Sequence, residues 1–256
     1  DSNFTLSHNK NKIKELVRDY VHPETGELIN KDRLDVGGLG KARFILKEGG
    51  TLGDLYTQSD LKRDDNGMVD IDPTGIVAIE NNLPDIKLGS VFPKANLAWS
   101  NHFSWKGISL SALFTARIGG IVYSATEAAM DQYGVSERSA LARDNGGVLV
   151  NNRTLVDAQN YYTTIGSESG LPQYYTYNAT NVRLQEASIG YLIPRKWLGN
   201  VCDIQVSVIG RNLWMIYNKA PFDPESVATT DNYYQGIDYF MLPSTRNIGF
   251  NVKINF

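Results

Sequence analysis

Between residues 95 and 118 the chain alternates apolar and polar side chains through two runs joined by a tight turn, which specifies a two-faced β-hairpin. In the first run Leu97, Trp99, Phe103 and Trp105 share one face, with Asn96, Ser100, His102 and Ser104 on the other. Lys106-Gly107 turns the chain. Ile108, Leu110, Ala112, Phe114, Ala116 and Ile118 then return on one face, with Ser109, Ser111, Thr115 and Arg117 mostly on the other, and Gly119-Gly120 closes the strand. A face carrying Trp99, Phe103, Ile108, Leu110 and Phe114 has to meet either a second sheet or lipid.

The same period recurs along the chain. Phe4 and Leu6 share a face in an opening segment with no initiator Met, no basic region and no apolar signal core. A chain that opens inside a strand pattern is expected to be a fragment or a processed piece. Val182 and Leu184 alternate in one phase and Ala187, Ile189 and Tyr191 in the other, so a β-bulge is expected near Glu186. Ile204, Val206 and Val208 alternate against Asp203, Gln205 and Ser207 toward Asn212, and Ile248, Phe250, Val252, Ile254 and the terminal Phe256 form a last one-sided strand. Further strands are expected at 41–47 and 51–59, for about seven or eight in all. The connections are unequal: 106–107 and 194–200 are short, whereas 60–94, 119–180 and roughly 215–243 are long. With Phe256 at one rim, all short turns fall on that side and all long ones on the other. Short periplasmic turns and long extracellular loops are the asymmetry of outer-membrane barrels, and a chain-terminal Phe is a common ending of such barrels.

Composition removes other classes. The 256 residues are 42% hydrophobic and 21% charged, with a mean hydropathy of -0.29. No stretch approaches the ~18 apolar residues of a membrane-spanning helix, but barrel strands need only ~10 residues of alternating pattern. A formal net charge of -3 offers no basic field for nucleic acid. The lone Cys202 has no disulfide or CxxC partner and reads as a small strand hydrophobe.

Gly37-Gly38-Leu39-Gly40-Lys41 departs from a phosphate loop, because Ala42 stands where Ser or Thr is required and the spacing is wrong. Asp64-Asp65-Asn66-Gly67 fails as a calcium loop, since aligning Gly67 to the invariant glycine puts Lys62 and Pro73 at ligand positions; a hairpin tip is expected. His8, His22 and His102 lack metal-ligand spacing, and no nucleophile motif occurs. No catalytic residue, metal or cofactor is therefore assigned, and the chain does not read as an enzyme.

An ordered series of signatures carries a family resemblance. It runs Ser-His-Asn-Lys-Asn-Lys-Ile at 7–13, Glu-Gly-Gly-Thr-Leu-Gly-Asp-Leu-Tyr at 48–56, Asp-Asp-Asn-Gly at 64–67 and Leu-Gly-Ser-Val-Phe-Pro-Lys at 88–94. Phe-Thr-Ala-Arg-Ile-Gly-Gly at 114–120, Asn-Val-Arg-Leu-Gln-Glu-Ala-Ser-Ile-Gly-Tyr at 181–191 and Gly-Arg-Asn-Leu at 210–213 follow. Phe-Asp-Pro-Glu at 222–225, Pro-Ser-Thr-Arg at 243–246 and terminal Phe256 complete it. In this order, over nearly the whole length, the chain resembles the C-terminal part of the SusC/RagA-like TonB-dependent outer-membrane transporters. It departs from them at Gly50-Thr51, where the family usually has Pro.

The resemblance implies an all-β chain, an antiparallel section of a 22-stranded transmembrane barrel closed by an N-terminal plug. It implies import of glycans or peptides driven by TonB, a SusD-like lipoprotein lid, and the outer membrane of a Gram-negative bacterium of the Bacteroidota. This chain would hold roughly the last third of the wall, without plug or TonB box. The remaining strands would then be obligatory partners, because an open sheet edge in lipid leaves backbone groups unpaired at several kcal/mol each.

Tyr161, Tyr162, Tyr174, Tyr175, Tyr177, Tyr233 and Tyr234 lie in long connections beside Asn, Gln, Ser and Asp. Such rings suit a sugar or a protein lid, although for any one of them loop packing or an interfacial girdle outweighs substrate contact. Trp99, Trp105, Trp197 and Phe256 stand near strand ends and are expected in the membrane girdle. Arg117, Arg183 and Arg211 are expected to face the lumen by alternation, where they would pair with plug carboxylates or line the pore. Two other readings stay open: a soluble carbohydrate-binding sandwich, and a small self-contained barrel serving as an adhesin or anchor.

Overall fold

Alternation along each strand becomes register across a sheet. In a computed structural model describing residues 1–199, 201–229 and 234–255, six strands form one antiparallel sheet. They are β1 (Ser2–Ser7), β2 (Ala95–Trp105), β3 (Ile108–Ile118), β4 (Asn181–Ile193), β5 (Asp203–Asn218) and β6 (Asn247–Asn255), paired in that order. Phe103, Leu110, Ile189, Val208 and Phe250 fall in one cross-strand row, and Trp105, Ile108, Tyr191, Val206 and Val252 in another. The opposite face carries rows such as Ser100, Leu113, Glu186, Arg211 and Asn247. The apolar face is uncovered: Phe250 is 73% exposed and Phe103 61%.

The bulge lies where the phase slip placed it. Glu186 pairs with Leu113 and Leu184 with Phe114, so Gln185 is the extra residue and the apolar side chains above and below it keep one face. β5 answers with its own irregularity between Arg211 and Trp214, where Asn212 adopts a left-handed φ of 51° and Leu213 folds over Gly210. A Cβ at residue 210 would lie 2.5 Å from Leu213 Cδ2, so a larger residue there would displace the Leu213 side chain. The β2–β3 turn also follows the sequence, since Lys106 and Gly107 are both left-handed, at 48° and 87°, as a type I′ turn demands.

The connections sort by length. Residues 106–107 and the described residues 194–199 and 201–202, with the 3₁₀ turn Arg195–Leu198, lie at one end of the sheet. Among the described residues, 8–94, 119–180, 219–229 and 234–246 all lie at the other. Here two expectations are corrected. Among the described residues the wall has six strands rather than seven or eight, because Ala42–Lys47 and Asp54–Thr57 pair with Arg33–Leu39 and Ile86–Ser90 in a separate four-stranded sheet within the first long connection. The last long connection also starts later than expected, since β5 continues to Asn218.

Together the long connections make a cap with its own core. Phe44, Leu55 and Val91 from the first, Tyr123, Ile165, Leu171 and Tyr175 from the second and Ile237 from the third are buried in one cluster. Three short helices, Ala125–Gln132, Glu137–Asp144 and Ala158–Gly166, start at Ser124, Ser136 and Asp157, whose side chains accept the orphan N–H groups of the first turn. Asp64 Oδ1 accepts from the N–H groups of Asn66 and Met68, each at 2.9 Å, with Gly67 at φ 77°, which is the expected hairpin tip. Among the described residues no helix is long and apolar enough to cross a membrane, which says nothing of strands.

One ion cluster ties the cap sheet together. Asp85 accepts from Arg33 Nε at 2.9 Å and lies 2.6 Å from Lys47 Nζ. The Arg33 hydrogen bond, against the opposing effect of burial and aided by Lys47, holds its carboxyl down at about 2. A depressed folded value means the stabilisation is complete above the ordinary carboxylate range and is lost as pH falls through the folded value. The cap sheet is therefore expected to loosen between about pH 4 and about pH 2, and Asp85→Asn is expected to abolish that step in a pH titration followed by tyrosine fluorescence.

Candidate functional site

The outward face of the wall is bounded by aromatic rings. Trp105 ends β2 beside the short turn, with Lys106 Nζ 4.8 Å from its ring centroid. Trp197 stands exposed in the other short connection. Trp99 lies six residues up β2, about 20 Å along the strand, stacked on Phe114 at 5.6 Å and donating from Nε1 to Ser2 Oγ at 3.0 Å. Phe256 lies outside the described residues. Trp214, 62% exposed on the same face, pairs with Leu184 in the row that contains Trp99 and Phe114. Sequence reasoning missed it because the irregularity at 212–213 breaks the alternation just before it.

The polar face carries the three arginines, in an arrangement that alternation could not supply. Arg183 is buried beneath the cap and makes two hydrogen bonds to Asp223, at 2.9 and 3.3 Å, with Glu225 at 3.3 Å. Asp223 also accepts from Ser244 Oγ at 2.5 Å. Burial alone would push the Asp223 carboxyl up, but the Arg183 and Ser244 hydrogen bonds outweigh it and the carboxyl stays below its ordinary range. The expectation that Arg183 pairs with a plug carboxylate or lines the pore is thus corrected: it is buried, and its partners belong to the chain's own third long connection. Arg117 donates to the Val91 carbonyl at 2.7 Å, and Arg211 pairs with Glu186 at 2.8 Å across neighbouring strands.

The tyrosines divide by burial. Tyr175 is fully buried and donates to Asp131 at 2.9 Å beneath the Arg138 guanidinium, whose carbon lies 4.8 Å from the ring centroid. Burial drives its hydroxyl pKa far up, so it stays protonated. Its candidacy as a substrate or lid contact is corrected to core packing, the role that outweighed contact for any one of these rings. Tyr161 and Tyr162 meet edge to face at 5.4 Å, and with Tyr174 they pack against the cap core. Tyr177 packs on Phe222 at 5.7 Å. Tyr234 is exposed, with its ring edge-on to Phe44 at 6.2 Å. Tyr233 lies outside the described residues. Tyr175→Phe leaves Asp131 its Arg138 and Ser136 partners but removes one buried donor, at a cost of about 1–2 kcal/mol. A lowered thermal midpoint of the cap by near-ultraviolet circular dichroism is the expected readout.

A two-faced antiparallel wall with its apolar side exposed, aromatic rims, and long connections gathered at one end is a section of a membrane β-barrel. In sequence and fold the chain resembles the SusC/RagA-like TonB-dependent outer-membrane transporters. No protein-family model matches it. TonB-dependent receptor P3 of Formosa agariphila is 25% identical over 98% of the chain. A structure of the RagAB peptide transporter superposes on the whole chain with a TM-score of 0.63 at 17% identity, and the RagAB peptide importer in its closed-closed state with 0.64 at 17%. The chain spans about a quarter of each relative's length, 26% of the receptor and 27% of each transporter chain.

Proposed function

We propose that this chain is a C-terminal section of the wall, with the extracellular cap, of an outer-membrane transporter that imports glycans or peptides with energy from TonB under a SusD-like lipoprotein lid. The observation that carries it is the uncovered apolar face in register across six strands, which in water would be an aggregation surface and in lipid is a solvated one. A sandwich needs a second sheet across that face; the four-stranded sheet sits instead in the cap. A self-contained small barrel needs β1 to pair with β6, and among the described residues the sheet order ends at each of them. The structural neighbours, a RagAB peptide transporter and peptide importer, favour peptide over glycan as cargo.

The deciding experiment is the mass of the intact polypeptide in outer membranes, with its co-purifying proteins in mild detergent. A parent of about 100 kDa, the scale of a 22-stranded plugged barrel, together with a surface lipoprotein supports the reading. A soluble species of 28.5 kDa overturns it in favour of a soluble binding module.

A further inference from the structure

The cap contains an open cavity of about 420 Å³ between the helix Ala125–Gln132, the segment 166–168 and residues 239–240. Its lining combines the small residues Ala125, Ala128 and Gly166 with the rings of Tyr133, Tyr239 and Phe240 and the polar Gln132 and Ser167. Tyr133 is 76% exposed, Tyr239 54% and Phe240 60%. These rings gain little from the cap core. Tyr239 and Phe240 are nevertheless set in place: their rings meet edge to face at 5.2 Å, and the Phe240 N–H is held by Thr126 Oγ1 at 2.7 Å. Phe240 sits at a left-handed φ of 51°, a conformation that persists only where the surroundings fix it. Glu168 is the one ionisable carboxylate lining this cavity, and no ion pair to it is found among the described residues.

Aromatic rings lining a hollow that also carries small residues, with a single carboxylate in the lining, form an environment for an organic cation. The faces of such rings carry negative π charge, and the carboxylate supplies the counter-charge and a hydrogen-bond acceptor. We propose that this cavity binds a basic side chain, lysyl or arginyl, of an extended peptide. The proposal rests on the transporter reading and narrows its cargo to peptides with a basic residue. An acidic sugar or acidic peptide is disfavoured by Glu168, and a neutral sugar, whose hydroxyls could donate to that carboxylate, brings no cation to the rings.

The test uses the full-length transporter in detergent. Two blocked tripeptides, N-acetylated and C-amidated, serve as probes: Ala-Lys-Ala and its Nε-acetyl-lysine counterpart, which differ only in the cation. Binding is read by calorimetry. The lysine peptide is expected to bind about tenfold more tightly, the scale of an exposed cation–π contact plus an ion pair. Glu168→Gln and Tyr239→Ala are each expected to reduce that preference while the acetylated peptide is unaffected. Equal binding of the two peptides, no binding of either, or a preference untouched by both variants overturns the proposal. So does loss of a co-purifying lipoprotein in the variants with peptide binding unchanged, which would make the cavity a lid-docking site. Localisation separates the two levels: a soluble 28.5 kDa species defeats the transporter reading itself, whereas an outer-membrane parent without cation preference defeats only this site.

Discussion

Val208→Arg in the full-length protein is expected to destabilise the barrel by about 2–4 kcal/mol, the cost of a lipid-facing arginine near the bilayer midplane. Val208 sits between Ile189 and Phe250 in its cross-strand row. That row lies between the one containing Trp105 and Tyr191 and the one containing Trp99, Phe114 and Trp214, so it falls between the two aromatic rims. The matched control is Asn251→Arg on β6, which pairs with Ser207 on the opposite, polar face and is expected to be tolerated. Urea titration of the protein refolded into lipid vesicles measures both. Equal tolerance of the two arginines would remove the basis for a membrane-facing wall, and the reverse order would mean that the faces are exchanged.

The second large effect is at the junction of wall and cap. Arg183 and Asp223 side chains are only 6% and 10% exposed, so Arg183→Met strands the Asp223 carboxylate in a dry site with Ser244 as its remaining side-chain partner. Removing one member of a buried pair costs about 3–5 kcal/mol. The loss is expected to appear as faster amide hydrogen exchange over residues 219–246 of the intact protein, with the cap core around Phe44 and Tyr175 unchanged. Arg183→Met with Asp223→Leu is expected to recover much of the protection, because no unpaired charge remains. Unchanged exchange in the single variant would show that the ion pair does not hold this connection. The pH dependence has a fixed sign. The folded carboxyl lies below its ordinary value, so the junction is at full strength above about pH 4 and weakens as pH falls below it.

What alternation could specify, it specified residue by residue. A strand repeats with period two, so the side of each residue is legible locally: the face of Trp99, Phe103 and Leu110, the turn at Lys106-Gly107, and the bulge at Gln185 from a slip of phase. Where a bulge erases the period the reading stops, and Trp214 was lost for that reason. The cap lay beyond this reach. The strands at 42–47 and 54–57 were visible as strands, but nothing local says that their partners are 33–39 and 86–90 in a separate sheet rather than the barrel wall. The tyrosines show the same limit, since Tyr175 inside the core and Tyr234 at the surface have similar neighbours in sequence. Arg183 and Asp223 are 40 residues apart, and Tyr133, Glu168 and Phe240 come from two different long connections. The sequence by itself determined a two-faced wall and its turns, because backbone geometry imposes those at short range, and its ordered signatures carried the family resemblance. Only the tertiary structure decided the cap, the ion pair that ties it to the wall and the cavity it encloses, because the aperiodic connections take their positions from burial and charge pairing between distant segments.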